Sequence, residues 1–185
     1  GLGKAMAMEF NRSGADVVIV GRRQDALDAA KTEIEAVGDG KVVAISADIR
    51  LAPECEHVAR EAEAALGSID ILINNAGTSQ RGPFMEVSDE LWQDDLDLKL
   101  FASIRLTRLL FPGMCERQWG RIINVLNVGA KIPSAEGAPT QVTRAAGMAL
   151  MKVLACEGAP HNVLVNGLLV GKIRSDQWER RHRSE

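Results

Sequence analysis

The chain is 185 residues long, 46% hydrophobic and 25% charged, the composition of one globular domain with a sizeable core rather than of a fibrous or disordered segment. Its formal net charge of −3 carries no basic excess to neutralise a run of phosphates, which argues against nucleic acid as a partner. The longest apolar runs, Val17–Val20 and Leu164–Val170, fall far short of a bilayer span, which argues against a membrane. Cys55, Cys115 and Cys156 are scattered without metal-ligand spacing, so no metal site is expected and a reducing, cytoplasmic setting fits. Asn11-Arg12-Ser13 matches a glycosylation sequon, but inside a helical pattern it reads as chance.

The first residues, Lys4–Phe10, already read as a helix, and the chain opens on Gly1 without Met. The start of the protein is therefore expected to lie upstream, an N-terminal strand to be missing, and the C-terminal end to be cut short as well. After that helix, short β-branched runs alternate with longer helical patterns, the signature of βαβ units and a parallel sheet. The strands are expected at Asp16–Gly21, Lys41–Ser46, Ile69–Asn74, Arg121–Leu126 and Asn162–Leu168, each nearly continuously apolar as buried parallel strands are. The helices between them are expected at Gln24–Val37, Pro53–Leu66, Asp89–Gln118 and Pro139–Glu157. Ser88 offers a cap ahead of Asp89 and Glu90, and Pro112-Gly113 is expected to bend or end the regular part of the long helix. The fold class is α/β, a three-layer Rossmann-type sandwich, and residues 1–185 read as a single domain. Leu96, Leu98, Leu100, Phe101 and Ile104 put apolar surface on more than one face of the long helix. That pattern suits burial against both the sheet and a second subunit. The Arg-rich stretch Lys172–Glu185 reads as a solvated helix or frayed tail.

Gly1-Leu2-Gly3, opening a helix, looks like the second half of a phosphate-binding loop, since a helix N-terminus presents unpaired N–H groups to an anion. Further along, Asn74-Asn75-Ala76-Gly77 follows an expected strand and Asp48-Ile49 follows another. Leu91-Trp92, Leu106-Thr107-Arg108, Gly120–Val125 and Val165-Asn166 then succeed one another. This ordered series resembles the short-chain dehydrogenase/reductase family from Gly1 to about Ile173.

The resemblance implies a nicotinamide dinucleotide held by Gly1, Gly3, Asp48, Ile49, Asn75, Ala76, Gly77, Arg144 and Gly171, and hydride exchange with a small carbonyl or alcohol substrate. Where NAD-binding members carry an acid for the ribose 2′-hydroxyl, this chain has Gly21, Arg22 and Arg23. The Arg22 guanidinium reads as a clamp for the 2′-phosphate of NADP(H). A homodimer or homotetramer is expected through the helices Asp89–Gln118 and Pro139–Glu157.

The family's catalytic Asn, Ser, Tyr and Lys are all replaced. Counting along the motifs puts Lys99 at the Asn position, Asn127 at the Ser position, and Thr140 and Arg144 at the Tyr and Lys positions; the chain contains no Tyr. Thr140 is a poor acid and Arg144 keeps its proton at physiological pH. Asn127 can still donate to a carbonyl oxygen, and Arg144 can still bond the nicotinamide ribose. Lys99, beside Arg144, is the substitute proton donor on one reading and an i, i+4 ion-pair partner of Asp95 on the other. Two functions follow as expectations. One is an NADP(H)-dependent oxidoreductase with an altered proton donor, and the other a catalytically inactive, dinucleotide-binding pseudoenzyme or partner subunit. The Pro-Gly pair that the family places after the last expected strand reads Val170-Gly171, another departure.

Overall fold

A computed structural model describes residues 1–171 and 173. The Arg-rich stretch Lys172–Glu185 therefore lies, apart from residue 173, outside the described residues. The chain forms two compact units, one of Gly1–Asp48 with residues 171 and 173, the other of Ile49–Val170.

In the first unit, α1 (Leu2–Arg12) and α2 (Gln24–Glu35) accompany two parallel strands, β1 (Val17–Gly21) and β2 (Val42–Ser46). Ala7, Ile34 and Val42 form its buried core, with Met8, Val17 and Ile19 packed around them. Asn11 is fully buried, its Nδ2 donating to the Gly40 carbonyl at 2.7 Å. Its side chain thus braces the turn before β2, because a buried amide needs backbone partners.

The second unit holds a parallel sheet in the order β3 (Ile71–Asn74), β5 (Gly120–Asn127), β7 (Val163–Val170). Its helices are α3 (Ala52–Leu66), α4 (Asp89–Leu96), α5 (Ala102–Glu116) and α6 (Thr140–Gly158). Ala59, Leu110, Met114, Ile122, Val163 and Val165 make a continuous core from α3, α5 and the sheet. Truncating a fully buried side chain such as Ile122 to Ala is worth about 2–5 kcal/mol. A small antiparallel pair, β4 (Arg81–Gly82) with β6 (Ala138–Pro139), joins the segments that follow β3 and β5.

Parallel strands with βαβ connections give the Rossmann-type α/β fold that the sequence implied. The long helix differs in detail. Ser88 caps it by accepting from the Leu91 N–H, and a hydrogen bond between the Ser88 side chain and the Glu90 carboxylate lowers the pKa of Glu90 in the first turn. The regular helix then gives way to a π-turn over Asp97–Phe101, and α5 runs through Pro112 to Glu116. The helix therefore does not end at Pro112-Gly113 but continues past both to Glu116. The break comes at the π-turn, a widening of the kind that accumulates at functional sites, and Lys99 stands inside it.

Candidate functional site

In parallel α/β sheets the carboxyl ends of the strands face the ligand, because the following loops and helix N-termini open there. At the end of β3, Asn74 Nδ2 donates to Asn124 Oδ1 on β5 at 2.8 Å, and Ser103 Oγ donates to the same oxygen at 3.2 Å. Asn74 and Asn124 are register partners, so this bond ties two neighbouring strands side by side. The Asn75 N–H turns back onto the Ile73 carbonyl. Asn75 and Ala76 are half-buried and Gly77 is exposed. A Cβ at position 77 would collide with Arg144 Nη2 and come within 3.3 Å of Lys99 Cε. The missing side chain here makes room for the ends of two cationic side chains, with no positive backbone angle involved.

Behind Gly77 sits a closed polar set. Lys99 donates to Asp95 Oδ1 across one helical turn, and to Thr140 Oγ1 at 2.9 Å. Thr140 donates in turn to Asp95 Oδ1 at 3.2 Å and accepts from the Gln80 N–H at 3.0 Å. A hydroxyl has one donor and two acceptor sites, and all three of Thr140's are taken. The Lys99 and Asp95 side chains are 1% and 0% exposed. Desolvation lowers the Lys99 pKa, Asp95 opposes that shift, and the nearby Arg144 charge adds to it. The sequence left two readings of Lys99, a substitute proton donor beside Arg144 or an i, i+4 partner of Asp95; the fold shows the Asp95 pairing, buried inside the cluster rather than on a helix surface. Asp95 Oδ2 is buried without a partner.

The other two substituted positions are half-buried. Arg144 Nη1 donates to the Val125 carbonyl on β5 at 2.6 Å. Desolvation lowers its pKa, with Asp95 opposing, and it makes no ion pair among the described residues. Asn127, at the end of β5, accepts from the Ala130 N–H at 3.1 Å and so caps the short turn Val128–Ala130. That leaves its amide Nδ2 to donate elsewhere. Lys99, Thr140 and Arg144 are brought together; Asn127 lies two residues beyond the Val125 carbonyl that anchors Arg144.

Two residues of this neighbourhood were not singled out from the sequence. Gln80 reaches Thr140 through its backbone, donating to Oγ1 and accepting the Thr140 N–H. Gln141 pins the segment after β5, accepting from the Ser134 N–H at 2.6 Å and donating to Ser134 Oγ at 3.2 Å. Gly129 and Gly137 leave the room its side chain fills, since a Cβ at either would strike it.

The first unit carries its own candidates. Gly1 caps α1 with no side-chain bond, the first turn holds no acid, and nothing lies within 4 Å of where a Gly1 Cβ would stand. Its N–H groups are thus open to an anion, as a phosphate-binding terminus requires. Gly3 lies in the first turn. Arg22 is exposed directly after β1, and Asp48 is half-buried after β2. Ile49 is half-buried at the start of the second unit, and Gly171 is exposed with open space about it.

The family model described as short chain dehydrogenase matches residues 1–185. The chain is 33% identical to human dehydrogenase/reductase SDR family member 4 over 177 residues, covering 95% of this chain and 63% of that protein. It is 34% identical to D-beta-hydroxybutyrate dehydrogenase of Cupriavidus necator, covering 92% and 66%. Among solved structures, L-sorbose reductase from Gluconobacter frateurii, complexed with NADPH and L-sorbose, superposes with a TM-score of 0.93 at 32% identity. That match covers 98% of this chain and 70% of that one. The chain spans somewhat under two thirds of the length of these two curated relatives. No described helix is long and apolar enough to cross a membrane.

Proposed function

The chain belongs to the short chain dehydrogenase family, and from that we propose that it is the nucleotide-binding part of an oxidoreductase that moves hydride between NADP(H) and a small carbonyl or alcohol, with an altered proton donor. The observation that carries this reading is the placement of Arg144 and Lys99 against the exposed Gly77, at the carboxyl end of β3. Arg144 makes no ion pair among the described residues, and a ligand oxygen arriving at Gly77 would supply one.

The residues fit a dinucleotide. The uncapped N-terminus of α1, free of acids, suits a pyrophosphate. Arg22 suits a 2′-phosphate, with no acid at Gly21 to repel it. NADPH bound to the L-sorbose reductase relative supports the choice of NADP(H) over NAD(H). The family resemblance assigns cofactor contacts to Asp48, Ile49, Asn75, Ala76 and Gly171. When bound, the dinucleotide supplies the hydride. Arg144 then donates to a ribose or substrate oxygen, and Asn127 Nδ2 orients the carbonyl. Thr140 does not act as the acid, because its proton is committed to Asp95.

Exposed Phe101 and Leu109, with Val142 and Val153 on α6, support the proposal of a homodimer or homotetramer, and three widely spaced cysteines suit the cytoplasm. Fluorescence titration with NADPH and NADH, followed by a screen of ketones, aldehydes and 3-oxoacyl thioesters, tests the function. NADPH binding with turnover is expected. Binding without any turnover would leave a dinucleotide-binding protein that catalyses nothing, and no binding of either nucleotide would overturn the reading.

A further inference from the structure

Two cations share one carboxylate in this cluster. Asp95 commits Oδ1 to Lys99 and Thr140, and Arg144 has no ion-pair partner among the described residues. One formal positive charge is left without a counter-charge, in surroundings that already withdraw it from water. A partly desolvated cation is costly unless an anion meets it, and a guanidinium offers a planar fork matched to an oxyanion. Arg144 spends Nη1 on the Val125 carbonyl at 2.6 Å, while Nη2 lies against the exposed Gly77. Its remaining donors therefore belong to the side from which a ligand arrives. A neutral hydroxyl would accept a bond there but leave the charge unbalanced.

Resting on the oxidoreductase reading, we propose that Arg144 binds an anionic oxygen of the substrate, either the carboxylate of a short oxo acid or the alkoxide formed when a neutral ketone is reduced. In the first case no bond changes at Arg144. In the second, a hydride from a dihydronicotinamide forms the new C–H bond, and the C=O π pair moves onto oxygen. The ketone is reduced and the nicotinamide oxidised, and the alkoxide paired with Arg144 takes its proton from water.

Acetoacetate and its neutral methyl ester separate the two sources. Their affinities are measured by calorimetry with and without NADPH, and their turnover is followed, in the unmodified protein and in Arg144→Met and Arg144→Lys. A carboxylate site gives acetoacetate at least tenfold tighter binding than the ester, lost in Arg144→Met and partly kept in Arg144→Lys. An alkoxide site gives equal binding of the two probes, with kcat for the ester at least tenfold lower in Arg144→Met, KM unchanged and part of kcat regained in Arg144→Lys. If Arg144→Met changes neither binding nor kcat, the proposal is wrong. Arg144→Gln, which keeps the donor to Val125, replaces Arg144→Met should that variant not fold. Absence of NADPH binding would count against the oxidoreductase reading alone, because acetoacetate binding is also read without nucleotide.

Discussion

The Arg144 guanidinium occupies the space in which a side chain on residue 77 would begin. Gly77→Ala therefore pushes aside the tip of a long side chain rather than backbone, and the cost to stability is expected at the low end of the roughly 1–3 kcal/mol typical of overpacking. The effect on ligand binding should be larger than the effect on folding, because Arg144 is the displaced group. Parallel denaturant melts and NADPH titrations check this. Unchanged NADPH affinity in a destabilised variant would mean that Gly77 serves packing alone.

The buried Asp95 and Lys99 give the protein a pH signature. Desolvation holds the folded-state pKa of Lys99 below its ordinary 10.5, with Asp95 opposing the shift. The unfolded chain thus binds more protons than the folded one between the lowered value and 10.5, so this group's contribution to stability rises with pH through that window. It is lost as pH falls through the folded-state value. Asp95→Asn removes the opposing interactions, lowers the Lys99 pKa further and extends the rise to lower pH. At neutral pH the variant should lose about 3–5 kcal/mol, the cost of leaving a buried charge unpaired. Urea melts from pH 6 to 10.5 measure both effects. Lys99→Met should abolish the alkaline rise, and its persistence would assign the rise to another group.

Much of this architecture was legible because the deciding forces are local. Apolar runs bounded by turn residues located each strand of the parallel sheets within a few residues, and Ser88 ahead of two acids located the start of α4. Spacing along motifs drew attention to Lys99, Thr140 and Arg144, which the fold brings together. Their inward or outward direction was not legible. Thr140 is saturated by Gln80, 60 residues earlier, and by Lys99 and Asp95, contacts that no periodicity encodes. The π-turn at Asp97–Phe101 was equally hidden, since its residues are ordinary helix formers and the widening is set by what the turn packs against. An i, i+4 Asp–Lys pair reads as surface decoration in most helices; only tertiary burial makes it the centre of a site.

The proposed preference for NADP(H) rests on Arg22. Replacing it with Ala should weaken NADPH binding by roughly 1–3 kcal/mol while leaving NADH nearly unchanged, as expected for a charge-assisted bond to a phosphate that NADH lacks. The loss should shrink at high salt, since Arg22 is exposed. Equal losses for both nucleotides would assign Arg22 to the common pyrophosphate or to the fold.

Chemistry gives the most demanding prediction. With Thr140 donating into Asp95, and Lys99 buried behind it, no side chain here stands ready to hand a proton to a ketone. General acid assistance is worth roughly 10²–10⁴ in rate, so neutral ketones and aldehydes should react slower than in tetrad-bearing relatives by that order. Installing the family residues together, as Lys99→Asn, Asn127→Ser, Thr140→Tyr and Arg144→Lys, should recover a large part of it. Thr140→Tyr alone should not. A phenol cannot fit in place of Thr140, a residue only 4% exposed whose hydroxyl is held by Gln80, Lys99 and Asp95, without breaking those bonds, and Arg144 would stand where a lysine is needed. The single variant should instead lose about 1–3 kcal/mol of stability by overpacking. Steady-state kinetics on the unmodified protein, the fourfold variant, Thr140→Tyr and Lys99→Met, with melts alongside, decide the matter. If the unmodified protein reduces a neutral ketone as fast as its relatives and Lys99→Met abolishes this while NADPH still binds, then Lys99 moves out of its Asp95 pairing to act as the acid, and the closed cluster is only the resting state of a working site.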